Sequence, residues 1–217
     1  MVRHSAAELL APCGIYCPLC PRYQSQAQSR CLGCRWDPHR EFCREYHCVT
    51  HRRLMYCAEC EAYPCANVEV FLAWDSFVTH RPCANNLSRL ARNPTGLLRD
   101  LRQRERLLQE MLRQHDDGRS RSLFCRAAAL LPPALLKECL AVPRAENGCR
   151  GRLLQLAKQA KIDLELRQPA PPLRVGCPPR RRLKARPPAS LPRPSRGGAV
   201  RGARPARPAG SGRHLRR

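Results

Sequence analysis

The chain has 217 residues, with 40 Lys and Arg against 17 Asp and Glu, a formal net charge of +23, and fifteen cysteines. No segment approaches the roughly eighteen consecutive apolar residues of a membrane span, and Glu8 interrupts the first fourteen residues before a signal-peptide core can form. These features predict no membrane association, a cytoplasmic location and reduced thiols, which directs fifteen cysteines toward metal ligation rather than disulfides.

The charge is unevenly spread. From residue 169 onward the chain has fourteen basic residues, no acidic one, and repeated Pro, Ala and Gly. Too few large apolar side chains remain there to offset ordering entropy, so 168–217 is expected to be a disordered basic tail. Residues 1–80 hold eight basic and eight acidic side chains and are formally neutral. A neutral cysteine region argues against a nucleic-acid-binding zinc finger. Nucleic acid is expected only through the tail, by counterion release, and without base recognition because the tail lacks aromatic residues.

Ten of the cysteines fall within Cys13–Cys65, which defines a cysteine-rich module over residues 9–66. Its spacings are Cys13-x3-Cys17-x2-Cys20, Cys31-x2-Cys34, Cys43-x4-Cys48 and Cys57-x2-Cys60-x4-Cys65. Two thiolates two residues apart can turn onto one tetrahedral ion, and two such pairs complete a structural zinc shell. The simplest assignment puts one zinc on Cys17, Cys20, Cys31 and Cys34 and a second on Cys43, Cys48, Cys57 and Cys60, leaving Cys13 and Cys65 over. A cross-braced arrangement uses the same residues, and Cys13 or Cys65 can replace a neighbour. His39, His47 and His51 lie near enough in sequence to substitute, although surface and core histidines are commoner.

Large apolar residues are sparse in this module, too few for an independent core of about fifty residues. A structural zinc site supplies on the order of 10 kcal/mol in small peptides and fills that gap. The module is therefore expected to be nearly devoid of regular structure, a treble-clef-like or ribbon-like unit. The rival cofactor is an iron-sulfur cluster, because Cys13-x3-Cys17-x2-Cys20 is also the spacing of radical enzymes. Those enzymes need a strand-helix barrel that the remaining residues do not encode. Electron transfer or sensing stays open as the alternative function.

After Cys65 the pattern becomes helical over 67–167. A helix is predicted over Asn67 to Thr79, with Val68, Val70, Phe71, Leu72 and Trp74 as its apolar face, and another over Asn85 to Arg92. Asn93 and Pro94 read as N-cap and first residue of a helix to about Gln114, with Leu97, Leu98, Leu101, Leu108, Met111 and Leu112 in one stripe. Asp116, Asp117 and Gly118 form a turn, and Ser120 or Ser122 caps a helix through Leu131. Pro133 starts the next helix, Asn147 and Gly148 make a turn before another to about Ala160, and Ile162, Leu164 and Leu166 alternate as one short strand. The expected fold is thus a cysteine-rich, metal-stabilised module packed on a mostly helical half that ends in one strand.

Cys13-Gly-Ile-Tyr-Cys-Pro-Leu-Cys-Pro-Arg-Tyr23, Cys31-Leu-Gly-Cys34 and Cys57-Ala-Glu-Cys-Glu-Ala-Tyr-Pro-Cys65 resemble the family catalogued as domain of unknown function 3795. Further segments, Asp75 to His80, Asn86-Leu87 and Asp116 to Ser122 with Phe124-Cys125, resemble its longer members, so the likeness runs over about residues 9–167. Members are labelled zinc-binding, and the resemblance implies metal and no particular activity. The tail departs from the family pattern.

His80 with Cys83 can be drawn as base and nucleophile, and Asp75, Asp116 and Asp117 as acid-base groups. A histidine at a helix C-terminus and an Asp-Asp-Gly turn are the simpler readings. Cys125 and Cys139 fall on apolar helix faces and read as core thiols. No catalytic residue is assigned. The expected function is a zinc-dependent structural or interaction module that meets an unidentified protein partner through its helical half.

Overall fold

Asn93 sets the longest helix, because its side-chain oxygen accepts the Gly96 amide at 2.8 Å and Pro94 at the first position has no amide to satisfy. The computed structural model describes residues 4–142 and 148–167, without the side chains of residues 38 and 39. Within it lie eight helices: α1 (Ala6–Leu9), α2 (Arg44–Arg52), α3 (Ala66–Ala73), α4 (Cys83–Arg92), α5 (Pro94–His115), α6 (Arg121–Leu130), α7 (Pro133–Leu140) and α8 (Gly148–Gln159). Short 3-10 turns occupy Cys17–Leu19, Pro38–Phe42 and Cys57–Glu59. The tail from residue 168, Cys177 and Asn147 lie outside the described residues.

Helix α5 is the central element and touches α1, α4, α6, α7 and α8 as well as the turn at Cys17–Leu19. Leu97, Leu101, Leu107, Leu108 and Met111 are its buried face, so Leu107 joins the expected stripe while Leu98 and Leu112 stay half-buried. Arg104 reaches from α5 to the carbonyls of Ala128 (2.9 Å) and Leu131 (2.7 Å) and closes the end of α6. Replacing Asn93 by Ala should cost about 1 kcal/mol through the lost cap, read as a shift of the urea midpoint at unchanged slope; an unshifted midpoint would show that the cap is redundant.

The cysteine-rich segment is not separate from this core. Leu9, Leu10, Tyr16 and Leu19 share one buried cluster with Leu101, Leu108 and Phe124, and the Tyr16 hydroxyl donates to Glu105 at 2.7 Å. Nor is the segment almost free of regular structure, since α2 and the three short turns run through it. Only Val49 of α2 is buried, which is why its sequence carries no apolar stripe.

Two further expectations change. Helix α3 stops at Ala73 rather than near Thr79, because Trp74 turns extended and the His80 ring takes over the helix end, its Nδ1 at 2.9 Å from the Phe71 carbonyl and 2.7 Å from that of Trp74. The strand over 162–166 is not formed. Among the described residues the only β pairing is an isolated antiparallel bridge between Leu10 and Tyr16. Leu164 is buried and Asp163 and Glu165 are exposed, so the alternation is real. The carbonyls of this irregular segment, which bends at Glu165, are instead met by side chains: Arg81 donates to Asp163 and Glu165, and Arg126 to Leu164 at 2.8 Å. Arginines occupy the place a partner strand would take.

Candidate metal centre

A loop doubled back on itself carries the first three cysteines. The Ala11 amide donates to Ile15 (2.8 Å) across the turn at Gly14, and the 3-10 turn at Cys17–Leu19 brings Cys17 and Cys20 to one side. The Cys57 amide donates to Pro12 at 2.9 Å and ties the last cysteine group to the same loop. Cys13, Cys17, Cys20 and Cys57 are buried; Cys31, Cys34, Cys43, Cys48, Cys60 and Cys65 are half-buried.

Two groupings emerge. In the first, the Cys34 amide donates to Cys17 Sγ at 3.3 Å, which joins the pair Cys17/Cys20 to the pair Cys31/Cys34. Cys34 also lies within electrostatic reach of Cys20 and Cys31. Asp37, buried and unremarkable in the sequence, accepts the Leu32 amide at 3.1 Å and faces Cys31 and Cys34. In the second, Cys48, Cys57, Cys60 and Cys65 line one small cavity of about 20 Å³. Cys13 falls within reach of Cys83, Cys34 and Cys43, which no sequence spacing indicated.

Burial is the first cause that pushes Cys31 and Cys57 up to about 12 and Cys43 up to about 11. Cys34 is raised by its hydrogen bond to Cys17 and then by burial. Backbone amides oppose this: Gly33 donates to Cys31 Sγ and Tyr46 to Cys43 Sγ, each at 3.4 Å. Amides aimed at sulfur favour the thiolate, and a bound cation would displace the thiol protons. As placed, no set of three or more Cys, His, Asp or Glu groups among the described residues stands ready to hold an ion. The donor chemistry fits zinc, while the sulfurs would have to turn toward one another to close a shell.

The other candidates resolve into structural roles. Nε2 of His80 faces Ser76 Oγ at 3.2 Å and its ring stacks on Phe71, while Cys83 is fully buried. Asp116 pairs with Arg121 at 2.7 Å, and Asp117 accepts the amides of Arg119 (2.9 Å) and Ser120 (2.6 Å), as a turn before α6 requires. Nε2 of His47 faces the Glu41 carbonyl. Cys125 and Cys139 are fully buried core thiols, pushed to about 12 by burial.

The turn-bearing pairs Cys17/Cys20, Cys31/Cys34 and Cys57/Cys60, with Cys13 and Cys65, all sit in one stretch that a family model covers. Residues 9–70 match the family described as Protein of unknown function (DUF3795). The segments from Asp75 onward lie outside that span. No curated protein and no solved structure matches the chain. Among the described residues no helix is long and apolar enough to cross a membrane.

Proposed function

We propose that this chain is a zinc-binding structural and interaction protein, with two zinc ions fastening the cysteine-rich segment to the helices and an unidentified protein as partner. The observation that carries the reading is the contact of the Cys34 amide with Cys17 Sγ, which joins two Cys-x2-Cys pairs eleven residues apart at their nearest ends. Half-buried thiols with amides aimed at them, Cys31 and Cys43, give the donor chemistry a structural zinc site takes. Leu32, Phe42 and Met55 are exposed in the same segment, Phe42 at 88 %, so the apolar surface open to a partner extends beyond the helical half.

The full chain, purified without oxygen, should contain about two zinc per molecule and no visible colour; this count follows from two four-thiolate shells. Chelation should remove the metal and open the cysteine-rich segment to protease. Iron with acid-labile sulfide would overturn zinc in favour of a redox or sensing cluster. Unchanged proteolysis after metal removal would show that the ions do not hold the fold.

A further inference from the structure

We infer that the groove between α6 and α8 binds an acidic segment of a partner protein, one that sets carboxylates against its arginines and an apolar side chain on Leu154. The inference rests on the interaction half of the reading above, for which it supplies a place and a partner chemistry, and it does not depend on the metal.

Residues of α6, α8 and the segment 162–165 line a cavity of about 580 Å³, a size at which clefts take ligands. On α8, Arg150, Leu154 and Lys158 recur at every fourth residue and so share one face. On α6, Arg126 lies one turn after Ser122, with Arg119 just ahead of the helix. Leu123, Ala157 and Leu164 are buried and supply the apolar part of the lining.

The charge is unbalanced. Arg119, Arg126, Arg150 and Lys158 stand against Asp163 and Glu165. Among the described residues none of the four cations makes an ion pair. Arg126 Nε donates only to the Leu164 carbonyl at 2.8 Å, and Arg150 to the Ser120 hydroxyl at 3.4 Å. Asp163 is already engaged, since its Oδ1 accepts the Glu165 amide at 2.7 Å and its carboxylate lies 3.9 Å from the Arg81 guanidinium. Burial pulls Arg126 below its ordinary value, although a guanidinium stays charged at neutral pH. The groove therefore holds a partly dehydrated cation whose cost an incoming carboxylate would offset.

The apolar surface selects among anions. Leu154 is 45 % exposed and lies between two cations on the same helix face. A peptide that carries both acidic and apolar side chains satisfies that pairing. A nucleic-acid backbone would place phosphates against Asp163 and Glu165 and leave Leu154 uncovered. The chain's own tail, with fourteen basic residues and no acidic one from residue 169 onward, has the wrong sign for this groove.

The test is fluorescence anisotropy on the full chain with a short fluorescein-labelled peptide of alternating Glu and Leu. Leu154→Gln should weaken binding about tenfold, as expected for losing part of a leucine's burial. Arg119→Glu should also weaken it about tenfold, whereas Arg99→Glu, an exposed arginine of α5 outside the groove, should change it less than about twofold. All three side chains are exposed, so the variants keep the fold. Every variant also keeps the basic tail. Attraction by the tail alone would show as indifference to Leu154→Gln and equal losses from Arg99→Glu and Arg119→Glu, and either result overturns the proposal. An RNA oligonucleotide whose affinity falls in Leu154→Gln, or a wild-type dimer that Leu154→Gln disperses, would give the groove to nucleic acid or to a second copy instead. Zinc measured on the same preparation keeps the two readings apart: about two zinc per chain with no peptide bound would leave the metal reading standing and sink this one.

Discussion

Asp75→Ala should destabilise the chain by about 3 kcal/mol, at the low end of what breaking a buried ion pair costs. The Asp75 side chain is fully buried and accepts the His80 amide (2.7 Å), the Arg167 amide (2.9 Å) and the Thr79 hydroxyl (3.3 Å). It also pairs with the Arg167 guanidinium at 3.2 Å and stands 3.6 Å from Arg81 Nε. Arg81 Nε is buried with no hydrogen-bond acceptor, and Asp75 is the buried carboxylate beside it, with the exposed Asp163 carboxylate 3.9 Å from the same guanidinium. Without the Asp75 carboxylate these donors lose their common acceptor, and the segment from Ile162 to Arg167 stays tied to the loop between α3 and α4 only by the Asp75 amide on the Arg167 carbonyl (3.0 Å) and by Arg81. Arg167 keeps about a third of its side chain in water, which limits the loss.

The same carboxylate gives a pH signature. Burial alone would raise Asp75, but the Arg167 side chain and amide and the His80 amide hold it at about 2, below its ordinary 3.8. A depressed folded pKa contributes stability that is complete above the unfolded pKa and disappears as pH falls through the folded one. The contribution is about 2 kcal/mol, present above roughly pH 5 and lost progressively toward pH 2. Asp75→Asn should lack this component. Any effect of acid on the cysteines is common to both proteins, so the difference between their urea unfolding free energies isolates the carboxylate. A difference independent of pH from 5 to 2 would show that Asp75 is not held as an anion.

Much of the helical half can be read from local signals. The prolines at 94 and 133, the Asn93 cap and the leucines of α5 mark boundaries that the fold keeps within one or two residues. The elements that differ are those settled by a distant partner. Residues 162–166 alternate as a strand does, yet alternation reports only an extended segment with one face inward, and Arg81 and Arg126 satisfy its carbonyls from other parts of the chain. Helix α3 ends where the His80 ring returns to it, and no window around Trp74 contains that information. At the candidate metal centre the close cysteine pairs are visible as spacing. The contrast between Cys43 and Cys65 is not, because both precede a helix and only the fold decides which sulfur serves as its cap. Asp37 escapes notice, and Cys83 is noticed only beside His80, for the same reason: packing alone brings both to the cysteines.

Gly14→Ala should also cost about 3 kcal/mol, and a second glycine separates the two causes. Gly14 has φ +92, a left-handed conformation that costs an alanine roughly 1–2 kcal/mol. A Cβ there would stand 2.5 Å from the Cys83 carbonyl oxygen and 3.0 Å from Leu87 Cγ, against the first turn of α4 and a fully buried leucine. Neither neighbour is the loose end of a side chain, so α4 would have to move, with an overpacking cost of about 1–3 kcal/mol. That movement would also strain the bond from Asn86 Nδ2 to the Gly14 carbonyl at 2.9 Å. Gly118 supplies the control: its φ is +78, but nothing lies within 4 Å of the added carbon. Gly118→Ala should therefore show the conformational cost alone, about 1 kcal/mol, with metal content unchanged. Because Gly14 lies between Cys13 and Cys17, the proposed zinc binding adds that its variant should also lower zinc content, joining the packing of α4 to the first cysteine group. Equal losses of stability in the two variants, read from urea midpoints, would mean that α4 does not press on the loop at Gly14.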